Sequence, residues 1–298
     1  MFVQSDLLAL AAAACWAIGS LLSVGPSRYL GAFSFTRWRM LMVALMLWLV
    51  VGLTQSWQDI KSDDLAILAL SGLIGIFIGD TALFSAMNRL GPRRAGILFA
   101  THAAFSAVLG AWVFGEKMNT QGVFGGCLTL AGVMIAVAFG SHKNEAHAWE
   151  KNSGKLWLGV ILGLVAALCQ AMGAIIVKPV MSEGIDPIAA SAVRVSVALI
   201  AHFFLFWLGV KVVKSKQSPN LRLLGVIALN GFISMGVGMS LILLALEKGD
   251  VGTVGILSSV SPILLLPFLW WHSRRIPAPG AWLGACTTVA GTVILICR

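Results

Sequence analysis

Residues 114–137 read FGEKMNTQGVFGGCLTLAGVMIAV, and residues 271–296 read WHSRRIPAPGAWLGACTTVAGTVILI. Cys127 aligns with Cys286, Thr129 with Thr288, Ala131 with Ala290 and Gly132 with Gly291, all at one constant offset. Glu116, at the head of the first stretch, aligns with Arg275. One helix is therefore written twice, with the charge at its entrance reversed.

The duplication extends well beyond these two stretches. An offset of 159 aligns Leu65–Ile135 with Leu224–Ile294 without a gap, and 17 of 71 positions are identical. The matches include Gly72/Gly231, Gly79/Gly238, Gly96/Gly255, Trp112/Trp271 and Gly125/Gly284. An offset of 154 aligns Leu7–Leu21 with Ile161–Ile175, with Cys15/Cys169 and Gly19/Gly173 among seven identities. Self-similarity at a fixed offset is the mark of a repeated structural unit.

Composition says where the unit resides. Of 298 residues, 58% are hydrophobic and 11% charged, with a mean hydropathy of +0.91. Soluble domains carry about 25% charged residues, so the chain lies outside their range. Apolar runs of about 20 residues are long enough to cross a bilayer, and lipid admits such runs only as helices. Ten spans are expected, at 5–24, 34–53, 65–88, 92–114, 121–140, 155–178, 187–210, 221–246, 250–272 and 278–297. The fold class is therefore all-α integral membrane. The units are residues 1–140 and 155–298, joined by a polar linker at 141–154.

Each unit holds five spans, an odd number, so the second copy enters the bilayer from the opposite face and is inverted relative to the first. Inverted repeats characterise secondary transporters, whose substrate sites lie near the midplane between the copies. Short loops on the N-terminal side hold five Lys and Arg, and those on the other side thirteen. That asymmetry places both termini outside the cytoplasm. The net charge of +9 is thus a matter of topology, and no nucleic-acid partner is expected. All five cysteines fall within apolar runs, which argues against a disulfide framework, and no ligand spacing calls for a metal or a cofactor. The reversal from Glu116 to Arg275 fits helix entrances at opposite faces. An anion suits the positive end of a helix dipole, and a cation suits a cytoplasmic loop. A part in coupling is the alternative.

The stretch VFGEKMNTQGVFGGCLTLAGVMIAV resembles the fifth-span signature of the EamA-type transporters of the drug/metabolite transporter superfamily, in which a glutamate after span four precedes a Gly-rich helix ending in Ala-Gly. Ser261-Pro262 and Gly284…Ala290-Gly291 resemble it in the second copy, without the glutamate. DPIAASAVRVSVAL, which carries Arg194, is also similar to the family pattern, and Arg39 is the matching arginine in span two. The resemblance implies an exporter of amino acids, other metabolites or drugs, or a carrier of nucleotide sugars. It also implies termini in the cytoplasm, against the Lys and Arg count; the count is retained here.

Ionisable groups inside a span are costly, and so become candidates for function. Asp80 and His102 lie equally far from the turn expected at Gly91, about 16 Å along each helix. Together they read either as a proton-coupling or substrate-binding pair, or as two polar residues satisfied separately between helices. Their counterparts are Met239 and Ser261. Arg39 and Arg194 are read as structural partners of a carboxylate, with an anionic substrate as the alternative. Trp16 and Gln170 occupy matching positions in spans one and six, where an aromatic face opposite an amide would suit an amphipathic metabolite. His202 is expected to be satisfied locally. The GxxxG pairs Gly75/Gly79, Gly122/Gly126 and Gly280/Gly284 permit close helix contact, within one chain or across a homodimer.

The function expected is secondary transport of a small metabolite such as an amino acid by alternating access, outward across the cell (inner) membrane, with proton coupling open. A passive facilitator is the alternative. A membrane enzyme would need a nucleophile elbow, an HExxH motif or a phosphate loop, and the sequence shows none.

Overall fold

The computed structural model describes residues 4–139, 155–215, 217–264 and 278–296. The expected linker at 141–154, with His142 and His147, lies outside the described residues, as does Arg275. Ten helices are named here in chain order. In the first copy they are α1 (Gln4–Leu30), α2 (Ala32–Thr54), α3 (Ser62–Leu90), α4 (Pro92–Ala100, then His102–Phe114) and α5 (Thr120–Phe139). In the second they are α6 (Leu156–Ser182), α7 (Pro187–Trp207), α8 (Leu221–Lys248), α9 (Val251–Leu264) and α10 (Pro279–Ile296). Eight have described lengths and compositions sufficient to span a membrane, while α5 and α9 contribute shorter apolar helices. The protein is an all-helical, multi-pass membrane protein built from two repeats.

Helix ends follow local chemistry. Asp186 accepts a hydrogen bond from Ala189 N (2.8 Å) with Pro187 beside it, and so starts α7. Asn220 caps Leu223 N at the head of α8, and Asn119 caps Gly122 N at the head of α5, satisfying amide groups that have no partner within the helix. Gly91, the one residue joining α3 to α4, has a φ of +82°, which side chains beyond glycine rarely adopt. That turn is where the sequence places it. α1 and α6 run farther than expected, to Leu30 and Ser182, each passing a proline (Pro26, Pro179) near its end.

The two copies interlock so that a contact made by one is repeated by the other with the roles exchanged. Cys15 of α1 packs where a Gly238 Cβ would lie, and Cys169 of α6 does the same at Gly79 of α3. Gly19 abuts Ser234, and Gly173 abuts Gly75. Asn230 Nδ2 donates to Gly19 O (2.6 Å), and Ser71 Oγ donates to Gly173 O (2.7 Å). Gly231 faces Arg39 in α2, while Gly72 faces the backbone of Arg194 in α7. Every member of one pair maps onto the other at an offset of 154 or 159, apart from Arg39 and Arg194, which the sequence aligns only as matching arginines. Helices α1 and α8 thus pack as α6 and α3 do, and α2 packs on α7, α4 on α9 and α5 on α10.

The α5–α10 contact is the closest. Gly125 lies against Leu295 N and Gly291 O, Gly132 against Thr288, Gly284 against Ala136, and Gly291 against Thr129. The two helices run antiparallel with their backbones nearly touching. The small residues of this face are therefore used inside the chain. Thr129 Oγ1 and Thr288 Oγ1 bond back to Gly125 O and Gly284 O (both 2.8 Å), so neither hydroxyl is left bare.

Irregular backbone recurs at matched positions as well. α3 contains a π-helical stretch at Gly72–Ile78, and α8 contains one at Phe232–Val237, which maps to residues 73–78. α4 is interrupted at Thr101 and α9 at Ser259–Val260, where residue 260 maps to 101. Two copies with the same departures from ideal geometry derive from one structural unit.

A Gly132→Leu substitution would overlap Thr288 N and should destabilise the protein by about 1–3 kcal/mol, the usual cost of overpacking. Thermal unfolding in nanodiscs checks this, with Gly25→Ala, where nothing lies within 4 Å, expected to unfold like wild type.

Candidate functional site

The breaks in α4 and α9 expose backbone carbonyls that hydroxyls then occupy. Thr101 Oγ1 donates to Leu98 O (2.6 Å), Ser258 Oγ to Gly255 O (3.0 Å) and Ser259 Oγ to Ile256 O (2.7 Å). Discontinuous helices at the junction of inverted repeats are where transporters build substrate sites. A small cavity of about 10 Å³, no larger than one water needs, lies there, lined by His102 and Ser106 of α4, Gln170 and Ala174 of α6, Ile242 and Leu246 of α8, and Val251, Val254, Gly255 and Ser258 of α9. Its walls come from both copies. Among the described residues no lining residue is acidic, and the polar groups are one imidazole, one amide and two hydroxyls. The His102 ring is buried, with the Phe99 ring 5.1 Å away.

Asp80 does not join His102. Its carboxylate bonds instead to Arg39 Nη2 of α2, making a buried ion pair. The equal depth read from the hairpin does not fix helix rotation, and rotation turns Asp80 toward α2. The Arg39 guanidinium also lies over the Phe84 ring (4.6 Å) and the Phe35 ring (5.5 Å). Arg194 of α7 is only 3% exposed and within electrostatic reach of Asp80, yet among the described residues its Nε and Nη1 have no hydrogen-bond partner, and neither has Arg39 Nε. Two buried guanidinium groups thus share one carboxylate. Glycine makes room for Arg194: its Nη2 lies 3.4 and 3.6 Å from where side chains on Gly75 and Gly173 would begin. Gly173 adjoins Ala174 and is three residues from Gln170, so this cation sits close behind the pocket wall.

The remaining sequence candidates separate. Trp16 Nε1 donates to Ser234 O (3.0 Å), a carbonyl of the π-helical stretch in α8, and does not line the pocket with Gln170. His202 Nε2 shares a hydrogen bond with Thr81 Oγ1 (3.3 Å) and its ring meets Phe33 and Phe77 edge-on, but its Nδ1 has no hydrogen-bond partner among the described residues, so the local satisfaction expected of it is incomplete.

Glu116 departs from its reading as an anion at the head of α5. Its carboxylate reaches the other copy and accepts from Val251 N (2.7 Å) and Gly252 N (3.0 Å), the first amides of α9. Gly110 leaves space for it, since a side chain there would overlap Glu116 Oε2. Beside it, Lys178 of α6 donates to Leu246 O (2.6 Å) and Gly249 O (3.0 Å), closing the end of α8. On the same side, Lys61 and Glu183 form an exposed ion pair between the copies (2.9 Å), which holds the Lys61 ammonium above its ordinary range. The sequence contains Glu116 and a helix start at Val251, but nothing in it says that they meet.

An inverted pair of five-helix repeats meeting at interrupted helices is an architecture of membrane transporters. The chain belongs to the EamA-like transporter family, which matches residues 4–138 and 157–297. A solved crystal structure is similar over 99% of this chain and 96% of its own, with a TM-score of 0.76 and 16% identity, which speaks to the fold. Among curated proteins, none matches.

Removing one partner of a buried ion pair strands the other. Asp80→Asn should cost about 3–5 kcal/mol, and Arg39→Met with Asp80→Met should cost less than the sum of the two single changes. Denaturation of the purified variants measures the difference.

Proposed function

We propose that the protein is a secondary transporter that moves a small metabolite, an amino acid or a molecule of similar size, out of the cell by alternating access across the cell (inner) membrane. The observation that carries this reading is the pocket between the copies, bounded where α4 and α9 are both interrupted. In the conformation described, the pocket runs from the interruptions to Val251, whose amide Glu116 holds. Rocking one repeat against the other would close that end or open it.

As the copies part and the cavity widens, His102, Gln170, Ser106 and Ser258 would supply hydrogen bonds to polar groups of the substrate, and the aliphatic residues would enclose its apolar part. Behind the wall, Arg194 offers donors that are unpaired among the described residues and a charge that Asp80, bonded to Arg39, compensates only in part. This favours a substrate with an anionic group over a purely cationic one. Asp80 and His102 are the groups through which proton coupling would act. Trp16 holds α1 to α8, and its role is positioning. A homodimer would form on a face other than the small-residue stripe of α5 and α10, which those helices already cover within the chain.

Flux of amino acids in proteoliposomes, with and without a pH gradient, tests the reading. Gradient-driven uptake that His102→Ala reduces at least tenfold is expected of a coupled carrier. Asp80→Asn and His102→Ala proteins that retain full gradient-driven uptake exclude coupling through those groups. Uptake indifferent to the gradient points to a facilitator. Ohmic conductance removes alternating access.

A further inference from the structure

The internal duplication supplies a control for the Glu116 contact, because each of its parts has a counterpart in the other copy. Val251 and Gly252 map to Pro92 and Arg93 at the head of α4, and Glu116 maps to Arg275. Proline has no N–H, so the donor matching Val251 N does not exist. Arginine accepts no hydrogen bond, so the acceptor matching Glu116 does not exist either. The matching positions on the opposite side thus lack the acceptor and the first of the two donors, and keep only the Arg93 amide, while Trp112/Trp271 and Gly125/Gly284 are conserved between the copies.

We propose that Glu116 is a one-sided latch: it fastens the first copy to the head of α9 on the N-terminal side, and the matching residues Arg275 and Pro92 lack the acceptor and the donor to make that bond on the opposite side. A carboxylate accepting two amides at a helix start makes charge-assisted bonds reinforced by the helix dipole. Opening the pocket on the N-terminal side must break both. The pocket ends at Val251, so the latch stands at its mouth. Lys178 secures the neighbouring carbonyls of Leu246 and Gly249 within the second copy, which keeps the amides of Val251 and Gly252 in place as α9 begins. The Lys61–Glu183 pair also joins the copies on this side, but both its groups lie in water, where such pairs contribute little. On the other side, Arg37 Nη1 donates to Val213 O (3.2 Å), a tie between α2 and the segment after α7 that is not built from the duplicated latch positions. Closure on the N-terminal side is therefore the favoured resting state. Charge reversal at the head of the duplicated helix is how one ancestral unit, present twice, yields a carrier with a preferred direction.

This inference rests on the alternating-access reading, and the experiment separates the two. Spin labels at Lys117→Cys and Lys248→Cys, in a background whose native cysteines are replaced, report the distance across the N-terminal side of the full chain in nanodiscs. A single short distance is expected with Glu116 intact. Glu116→Ala should raise the ratio of long to short distances about tenfold, the size expected from losing charge-assisted bonds, and Glu116→Gln should raise it less. Writing the latch into the other copy, as Pro92→Ala with Arg275→Glu, should also shift the population toward the long distance while leaving Glu116 untouched. A folded Glu116→Ala protein with the wild-type distribution overturns the latch. If that variant does not fold, the double substitution decides, and an unchanged distribution there overturns it as well. A shifted distribution in a protein that shows no flux of any amino acid would keep the latch and reject the transport reading.

Discussion

The structure depends on helix backbones meeting across the line between the two copies. Lipid offers no hydrophobic gain for joining apolar helices, so their association relies on packing and on the few polar bonds available. Glycine and other small residues bring α5 within contact of α10, α3 within contact of α6, and α1 within contact of α8. At that approach distance, Ser71 and Asn230 can reach the carbonyls of Gly173 and Gly19. Because the copies are duplicates, each close approach occurs twice in exchanged roles, and the pseudo-twofold arrangement follows from the sequence of one unit.

Symmetry in the scaffold makes the asymmetries informative. Asp80 faces Met239 in the alignment, His102 faces Ser261, and Glu116 faces Arg275. All three ionisable groups lie in the first copy, on α3, on α4 and just after it. The first copy thus supplies the ionisable groups of α3 and α4, while the second contributes Gln170, Ser258 and the amides of α9. Arg39 and Arg194 are the exception, one in each copy, and a single carboxylate serves both. The arrangement leaves a positive charge beside a pocket that has no acid of its own, a condition that an isolated helix in lipid would not tolerate.

Much of this was legible in the sequence, for reasons that differ by feature. The number of helices and the duplication follow from hydropathy and from identities at fixed offsets, which do not depend on how helices rotate. The turn at Gly91 was readable because one residue type suits its backbone. Partners across the bundle were not. Asp80 and His102 sit at comparable depth, yet the face each presents is set by packing against α2 in one case and α6 in the other, and no local signal encodes that choice. Trp16 and Gln170 occupy matching positions in the two copies, but Trp16 bonds to a carbonyl of a π-helical stretch, which hydropathy does not reveal. The sequence pairs Glu116 with its own helix, because the amides it meets begin 135 residues away.

The π-helical stretches of α3 and α8 have a mechanical consequence. A π turn accommodates one more residue than an α turn. If the stretch at Gly72–Ile78 tightened to ordinary α geometry, everything beyond it would rotate about the helix axis by roughly 100° relative to the part before it. Asp80 is two residues past that stretch. A local change in winding at this point would swing the carboxylate around α3 with no separation of the helices, and the same joint, lacking only the acid, is present in α8.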